Sequence, residues 1–293
     1  MFNLTTRHLR GDLFGGITAG VIALPLALAM GVASGLGPMA GLYGAIFVGF
    51  FAALFGGTES QVSGPTGPMT VVVAGVVASI AIHPDLAGNI ELIFTTIILA
   101  GIFQILFGTF KLGDYIRLVP YPVISGFMSG IGGIIIILQL SPLLGHETAA
   151  GTLDALRSMP EAMGNINFFS LFLGLLTLAI VFKWPSKLGK YLPAPLAALI
   201  IGTLISVFIG GTSILGDIPT GLPDIHIPIF SPESALIIME AAFILAILGS
   251  IDSLLTSLVA DNMTRTRHNP NRELIGQGIG NTVAGLFGGA PGA

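Results

Sequence analysis

From Ala241 to Ala260 the chain is apolar for a full membrane-crossing length, and one carboxylate, Asp252, stands in the middle of that run. A charge at such depth is costly in hydrocarbon, so it faces a water-filled cavity, a protein partner or an ion. Thr256 follows four residues later, which puts its hydroxyl on the same helical face about one turn away. A carboxylate and a hydroxyl stacked this way offer hard oxygen ligands to a small cation, or a site for a proton. The bland alternative is a buried carboxylate that bonds a neighbouring helix.

Other segments of the same kind recur. Taking about 20 apolar residues per crossing, spans are expected near 13–33, 39–56, 92–110, 120–140, 168–183, 193–210, 235–258 and 274–289. A shorter piece, 66–81, follows Ser63-Gly-Pro-Thr-Gly-Pro68 and reads as a half-length helix. Only 9% of residues are charged, against roughly a quarter in soluble domains, so lipid is the expected solvent. There is no cysteine, hence no disulfide framework and no thiolate metal site. The first apolar stretch is too long for a secretory signal and reads as a retained span.

With residues 1–12 on the cytoplasmic side, Arg7, Arg10, Lys111, Arg117, Lys183, Lys187, Lys190, Arg265, Arg267 and Arg272 all fall inside. Arg157 alone of the basic residues falls outside. The outer segments carry Asp85, Glu91, Glu147, Asp154, Glu161, Asp217, Asp224 and Glu233. This is the positive-inside pattern of an inner (plasma) membrane protein. Counting 66–81 as embedded is part of the argument, because dropping it flips every later loop. Trp184 and Tyr191 flank the inner lysines as interfacial anchors.

Ala53-Leu-Phe-Gly-Gly57 closes the second span, and Gly285-Leu-Phe-Gly-Gly289 closes the last. A Pro/Gly/Ala-rich stretch follows each copy. An odd number of crossings lies between them, so the repeat is inverted in the membrane, and paired broken segments mark a transporter site. Chance recurrence of a short string among 41 glycines is the competing explanation. The chain stops at Ala293 where the second broken segment begins. The sequence therefore predicts a fragment, since irregular backbone ending at membrane depth leaves polar groups unmet.

At Ser63–Thr70, Pro65 and Pro68 suit an extended entry and a first helical turn. The glycines let a ligand reach the backbone. A helix beginning inside the membrane turns free amides and partial positive charge toward an anion, and Thr66 adds a hydroxyl. A Pro-kinked helix is the structural alternative. Gln104 and Gln139 read as interhelical hydrogen bonders, and Gln277 and Asn281 as a pair packed on a neighbouring helix. The histidines have no metal-ligand spacing. No nucleophile elbow, phosphate-cradling lysine motif or zinc pattern occurs, so no catalytic residue is assigned and an enzyme is not expected. The basic residues follow the inner membrane face rather than a nucleic acid.

Six strings spread along the chain resemble the sulfate permease (SulP) family of anion transporters, above all its cyanobacterial sodium-dependent bicarbonate-transporting members. They are Arg10-Gly-Asp-Leu-Phe-Gly-Gly16, Ala23-Leu-Pro-Leu-Ala-Leu-Ala29, Pro65-Thr-Gly-Pro-Met-Thr70, Ile124-Ser-Gly-Phe-Met-Ser-Gly130, Ile251-Asp-Ser-Leu-Leu-Thr256 and Glu273-Leu-Ile-Gly-Gln-Gly278. The resemblance implies an all-α polytopic membrane protein of the 7+7 inverted-repeat (UraA-like) fold, with a core domain that moves like an elevator against a gate domain. It divides the chain into a cytoplasmic 1–12, a first repeat over 13–210 and the start of a second over 211–293, with the remainder and a C-terminal STAS domain absent. It also implies anion contacts at Thr66 and Gly67, pocket-lining Ala27, Leu28 and Met30, and sodium ligands Asp252 and Thr256. A homodimer is usual in the family. Leu26 departs from the glutamine that many members carry there, which implies a more apolar pocket.

The expected function is thus sodium-coupled bicarbonate symport, without a cofactor beyond the coupling ion. Proton-coupled symport or exchange of sulfate or another small oxyanion or carboxylate is the alternative. An anion channel is disfavoured, because rings of like charge are missing.

Overall fold

The computed structural model describes residues 9–82, 89–118, 120–146, 152–189, 192–210, 223–230 and 232–293. Arg7, Asp85, Glu147, Lys190, Tyr191 and Asp217, used above to orient the chain, lie outside the described residues. The elements run α1 (Leu9–Ala33), α2 (Pro38–Phe55), α3 (Gly67–Ile82), α4 (Ile90–Thr109), a 3-10 stretch (Leu112–Leu118) and α5 (Tyr121–Leu143). They continue with α6 (Thr152–Gly164), α7 (Phe168–Lys183), α8 (Ser186–Gly189), α9 (Ala194–Ile209), α10 (Pro232–Thr264) and α11 (Pro270–Leu286).

Each apolar run of the sequence is helical. Among the described residues, four helices are long and apolar enough to cross a membrane, namely α1, α2, α4 and most of α10. The other apolar stretches are shorter, including Gly67–Ile80, Gly132–Leu143 and Ala194–Ile209. A helix of 16 residues reaches only about 24 Å, less than the hydrocarbon thickness. Such pieces are tolerated where their ends are covered by protein.

Two elements differ from the sequence reading. The connection after α5 contains α6, in which Asp154, Arg157 and Glu161 recur at helical spacing while Ala155 and Ala162, seven apart, are buried. A search for lipid-length runs passes over so short an amphipathic helix. It meets α7 at a bend of 116°. In turn α10 continues past 258 to Thr264, because its polar residues end the apolar run without breaking the helix. The break comes at Arg265, in the left-handed region at φ 58°.

Four helices form the tight centre: α2 and α4 pack on α11, and α10 packs on α4. Small residues permit this. A Cβ on Gly278 would stand 2.5 Å from the Gly101 carbonyl, and one on Gly101 2.6 Å from the Gly278 carbonyl. The α4 and α11 backbones therefore touch at reciprocal glycines, a way for membrane helices to gain packing that hydrocarbon alone does not supply. Met69, Val73, Ile97, Ile238 and Leu245 fill the apolar core among α3, α4 and α10. Outside it, α5, α6, α7 and α9 form a second group, with α7 packed on α9 and α5 on α6. Phe182 and Phe208, each 84% exposed, project from α7 and α9 as lipid-facing side chains do.

Gly278→Ala is expected to lower stability by about 1–3 kcal/mol, the usual range for overpacking a close contact. Gly75→Ala, where nothing stands within 4 Å, is expected to be neutral or to stabilise by up to about 1 kcal/mol, as alanine does in a helix. Melting temperatures of the two variants in detergent check this.

Candidate functional site

Pro65 and Pro68 shape the entry to α3 as their fixed φ and missing amides require. Thr66 precedes the helix, and its carbonyl accepts the first helical bond, from the Thr70 amide at 2.9 Å. The residues before it are extended and pair antiparallel with the chain's last residues through a bridge between Pro65 and Gly292. The Ala293 amide donates to the Gly64 carbonyl at 3.0 Å, and the Gly64 amide to the Ala293 carbonyl at 3.4 Å. The two Pro/Gly/Ala-rich stretches singled out in the sequence thus lie against each other.

Asn281 of α11 holds the second stretch from behind. Its Nδ2 donates to the Gly292 carbonyl at 2.8 Å, and its Oδ1 accepts from the Gly292 amide at 2.7 Å. The same Nδ2 donates to Gln104 Oε1 of α4 at 2.8 Å. Gln104 and Asn281 are fully buried and bond each other between α4 and α11, Gln277 is fully buried and bonds Glu273 and Ser63, and Gln139, expected as an interhelical bonder, is exposed.

Asp252 lies at mid-length of α10 and is 7% exposed. Thr66 stands beside its carboxylate, close enough to interact with it. Yet Thr66 Oγ1 and Asp252 Oδ2 are both buried without a hydrogen-bond partner, as is the neighbouring Ser250 Oγ. A buried polar atom left unpaired costs about 1–3 kcal/mol, so the Thr66 and Asp252 oxygens standing beside each other call for a role outside the fold. Thr66 also does not cap its own helix. Thr256 donates to the Asp252 carbonyl at 2.9 Å, a bond along its own helix. Its side chain is exposed, and its oxygen keeps lone pairs for another partner.

The structure therefore joins Thr66 and Asp252 across two helices and keeps Thr256 one turn from Asp252. Gly67 opens α3 with its amide at the helix start. Ala27, Leu28 and Met30 lie on α1. Ala27 is 2% exposed, and its carbonyl faces Gly41 of α2, so its burial comes from α1–α2 packing. Leu28 and Met30 are half-buried. A cavity of about 330 Å³ opens beside this region between α3, α5 and α10, lined by Pro68, Val72, Gly126, Gly130 and Leu248 among others. Neither Thr66 nor Asp252 lines it, but Leu248 is one turn before Asp252 on the same face.

One buried carboxylate escaped the sequence reading. Glu273 of α11 is 2% exposed and accepts bonds from three directions. Its signal was present: an acid four residues before Gln277 on the face already assigned to helix packing. Among the described residues no three His, Cys, Asp or Glu side chains cluster as metal ligands. One carboxylate with hydroxyls suits a small monovalent cation or a proton better than a tightly held divalent ion, which takes 6–8 oxygens in the case of calcium.

The sequence pattern of the sulfate permease family matches residues 9–293. The bicarbonate transporter BicA of Synechocystis sp. is 51% identical over 292 residues, covering 98% of this chain and 51% of the relative. The putative sulfate transporter YvdB of Bacillus subtilis is 35% identical over 250 residues, covering 82% of this chain and 45% of that protein. Among solved structures, the transmembrane domain of a cyanobacterial bicarbonate transporter BicA superposes with a TM-score of 0.91 at 50% identity, over 99% of this chain and 75% of that one. The chain spans about half the length of the curated relatives it matches.

Because Thr66 Oγ1 stands beside Asp252 but makes no well-formed hydrogen bond within the fold, Thr66→Val is expected to leave stability within about 0.5 kcal/mol or to raise it. Asn281→Leu, which strands both polar groups of Gly292, is expected to cost about 3 kcal/mol. Thermal unfolding in detergent without added ligand separates the two.

Proposed function

The chain belongs to the sulfate permease family, and on that premise we propose that it forms the substrate- and ion-binding part of a sodium-coupled bicarbonate symporter. The fold is all-helical and polytopic, its relatives are anion transporters rather than enzymes, and the protein is a multi-pass membrane protein. The observation that carries the finer reading is the Asp252 carboxylate beside Thr66 at the start of a broken helix, with Asp252 Oδ2 and Thr66 Oγ1 unpartnered.

In this reading sodium is cargo held by Asp252 and by the hydroxyl oxygens of Thr256 and Thr66. The cation neutralises the carboxylate and adds positive charge beside the first amides of α3. Bicarbonate then binds at Thr66 and Gly67, where the free amides and the helix dipole favour an anion. Each ligand raises the affinity for the other, and the coupling is reciprocal. Leu28 and Met30 close the apolar side of the pocket.

The division of the helices supports an elevator motion. α1–α4, α10 and α11 form one packed group around the site, and α5–α9 form the other, joined to the first by slight contacts through α1–α9 and α3–α5. The first group is the moving core. The first repeat ends near 210, the second starts at 211, and the N-terminus is cytoplasmic in the inner (plasma) membrane. The working unit is a homodimer. Sulfate is the second candidate cargo, because relatives such as YvdB carry that name; proton coupling through Asp252 goes with it.

Uptake of labelled bicarbonate and sulfate into proteoliposomes holding the intact protein, under imposed sodium and proton gradients, tests this. Bicarbonate uptake is expected to follow sodium, and Asp252→Asn to abolish that dependence. Sulfate uptake following pH would overturn both cargo and ion. Full sodium-driven uptake by Asp252→Asn would remove the proposed sodium site.

A further inference from the structure

Glu273 is a buried acid with no basic side chain paired to it among the described residues, and the proposed binding step does not use it. Every bond that reaches it is donated to it. The Gly57 amide donates to Oε2 at 2.8 Å, Gln277 Nε2 to Oε1 at 2.8 Å, and Ser253 Oγ to Oε1 at 3.2 Å. That is the pattern of a carboxylate, which only accepts. Its position in the first turn of α11 adds the favourable end of the helix dipole.

The three donors come from three different places. Gly57 begins the connection that leads into α3. Ser253 is the α10 residue directly after Asp252. Gln277 lies one turn along α11, and its Nε2 also reaches Ser63 Oγ, three residues before Thr66. A second layer repeats the link: Gln61 Nε2 donates to Ser253 Oγ at 3.3 Å, and Gln61 Oε1 accepts from Ser257 Oγ at 2.7 Å. Thr58 Oγ1 lies 2.8 Å from Ser257 Oγ. One acceptor-only side chain thus ties the 57–63 connection to α10 and α11 at once.

We propose that Glu273 is a positioning residue whose carboxylate clamps the 57–63 connection to α10 and α11, and so fixes where Thr66 stands relative to Asp252. The proposal rests on the reading of Thr66 and Asp252 as the binding pair. A glutamine replaces the acid only at a cost, because its NH₂ faces either the Gly57 amide, donor against donor, or the Ser253–Gln277 pair, where the Gln277 amide must turn over and the charge-assisted bonds are lost. Aspartate keeps the acceptors on a shorter stem.

This chain has no cysteine, so in the intact protein, with any cysteine of the remainder replaced by serine, a Thr58→Cys/Ser257→Cys pair reports the clamp directly. Oxidative crosslinking of that pair is expected to slow about tenfold with Glu273→Gln, the size of one lost charge-assisted bond, and to recover in large part with Glu273→Asp. In the cysteine-free protein, Glu273→Gln is expected to raise the KM for sodium and for bicarbonate about tenfold with the maximal rate within about twofold. If Glu273→Gln does not fold, Ser253→Ala, which removes one donor, is expected to move the same quantities about threefold. An unchanged crosslinking rate overturns the clamp. Slower crosslinking with both KM values unchanged, or a lower melting temperature alone, overturns the positioning role and leaves Glu273 structural. If the unsubstituted protein is not driven by sodium, the functional reading fails on that observation while crosslinking still decides the clamp.

Discussion

A helix that begins inside the membrane must have its stray backbone groups answered by protein, and this constraint organises the structure. α3 begins at Gly67, and the extended residues before it have no helical partners. They pair with the residues around Gly292. That stretch is no better supplied, and Asn281 binds both polar groups of Gly292. Gln104 then fixes Asn281, which brings α4 into the same assembly. Removing Asn281 leaves both polar backbone groups of the buried Gly292 without these partners.

Several buried polar side chains serve this assembly. Gln104, Asn281, Ser253, Ser257 and Glu273 spend their main groups on holding helices and connections together. Thr66 Oγ1, Asp252 Oδ2 and Ser250 Oγ do not. Glu91 Oε2, Ser141 Oγ and Asn271 Oδ1 are also unpartnered, so what distinguishes the site is that Thr66 and Asp252 stand beside each other. The glycine contact between α4 and α11 makes the frame stiff, since two backbones that touch cannot slide without collision. A stiff frame around a few unmet oxygens is what an ion-and-anion site requires.

Much of this was legible in the sequence because lipid imposes simple rules. Apolar runs became helices at the expected places, and the Pro/Gly stretch at 63–68 became the break it suggested. The single carboxylate in an apolar run drew attention to Asp252 before any geometry was known. What the sequence concealed were tertiary matters. Glu273 stands one residue ahead of the expected span 274–289, and only the fold brings Gly57 and Ser253 to it. α6 was too short and too polar for a span search. Ala27, expected to line a pocket, also packs its carbonyl against Gly41 on the next helix, a contact no periodicity encodes.

The central claim is that Asp252 and Thr66 form one coupled site for a cation and an anion. Equilibrium binding of radioactive sodium to the intact protein, with and without bicarbonate, tests it most directly. The account predicts that bicarbonate tightens sodium binding about tenfold, a typical coupling between linked sites, and that Asp252→Asn removes sodium binding altogether. Sodium binding indifferent to both bicarbonate and Asp252→Asn would contradict it.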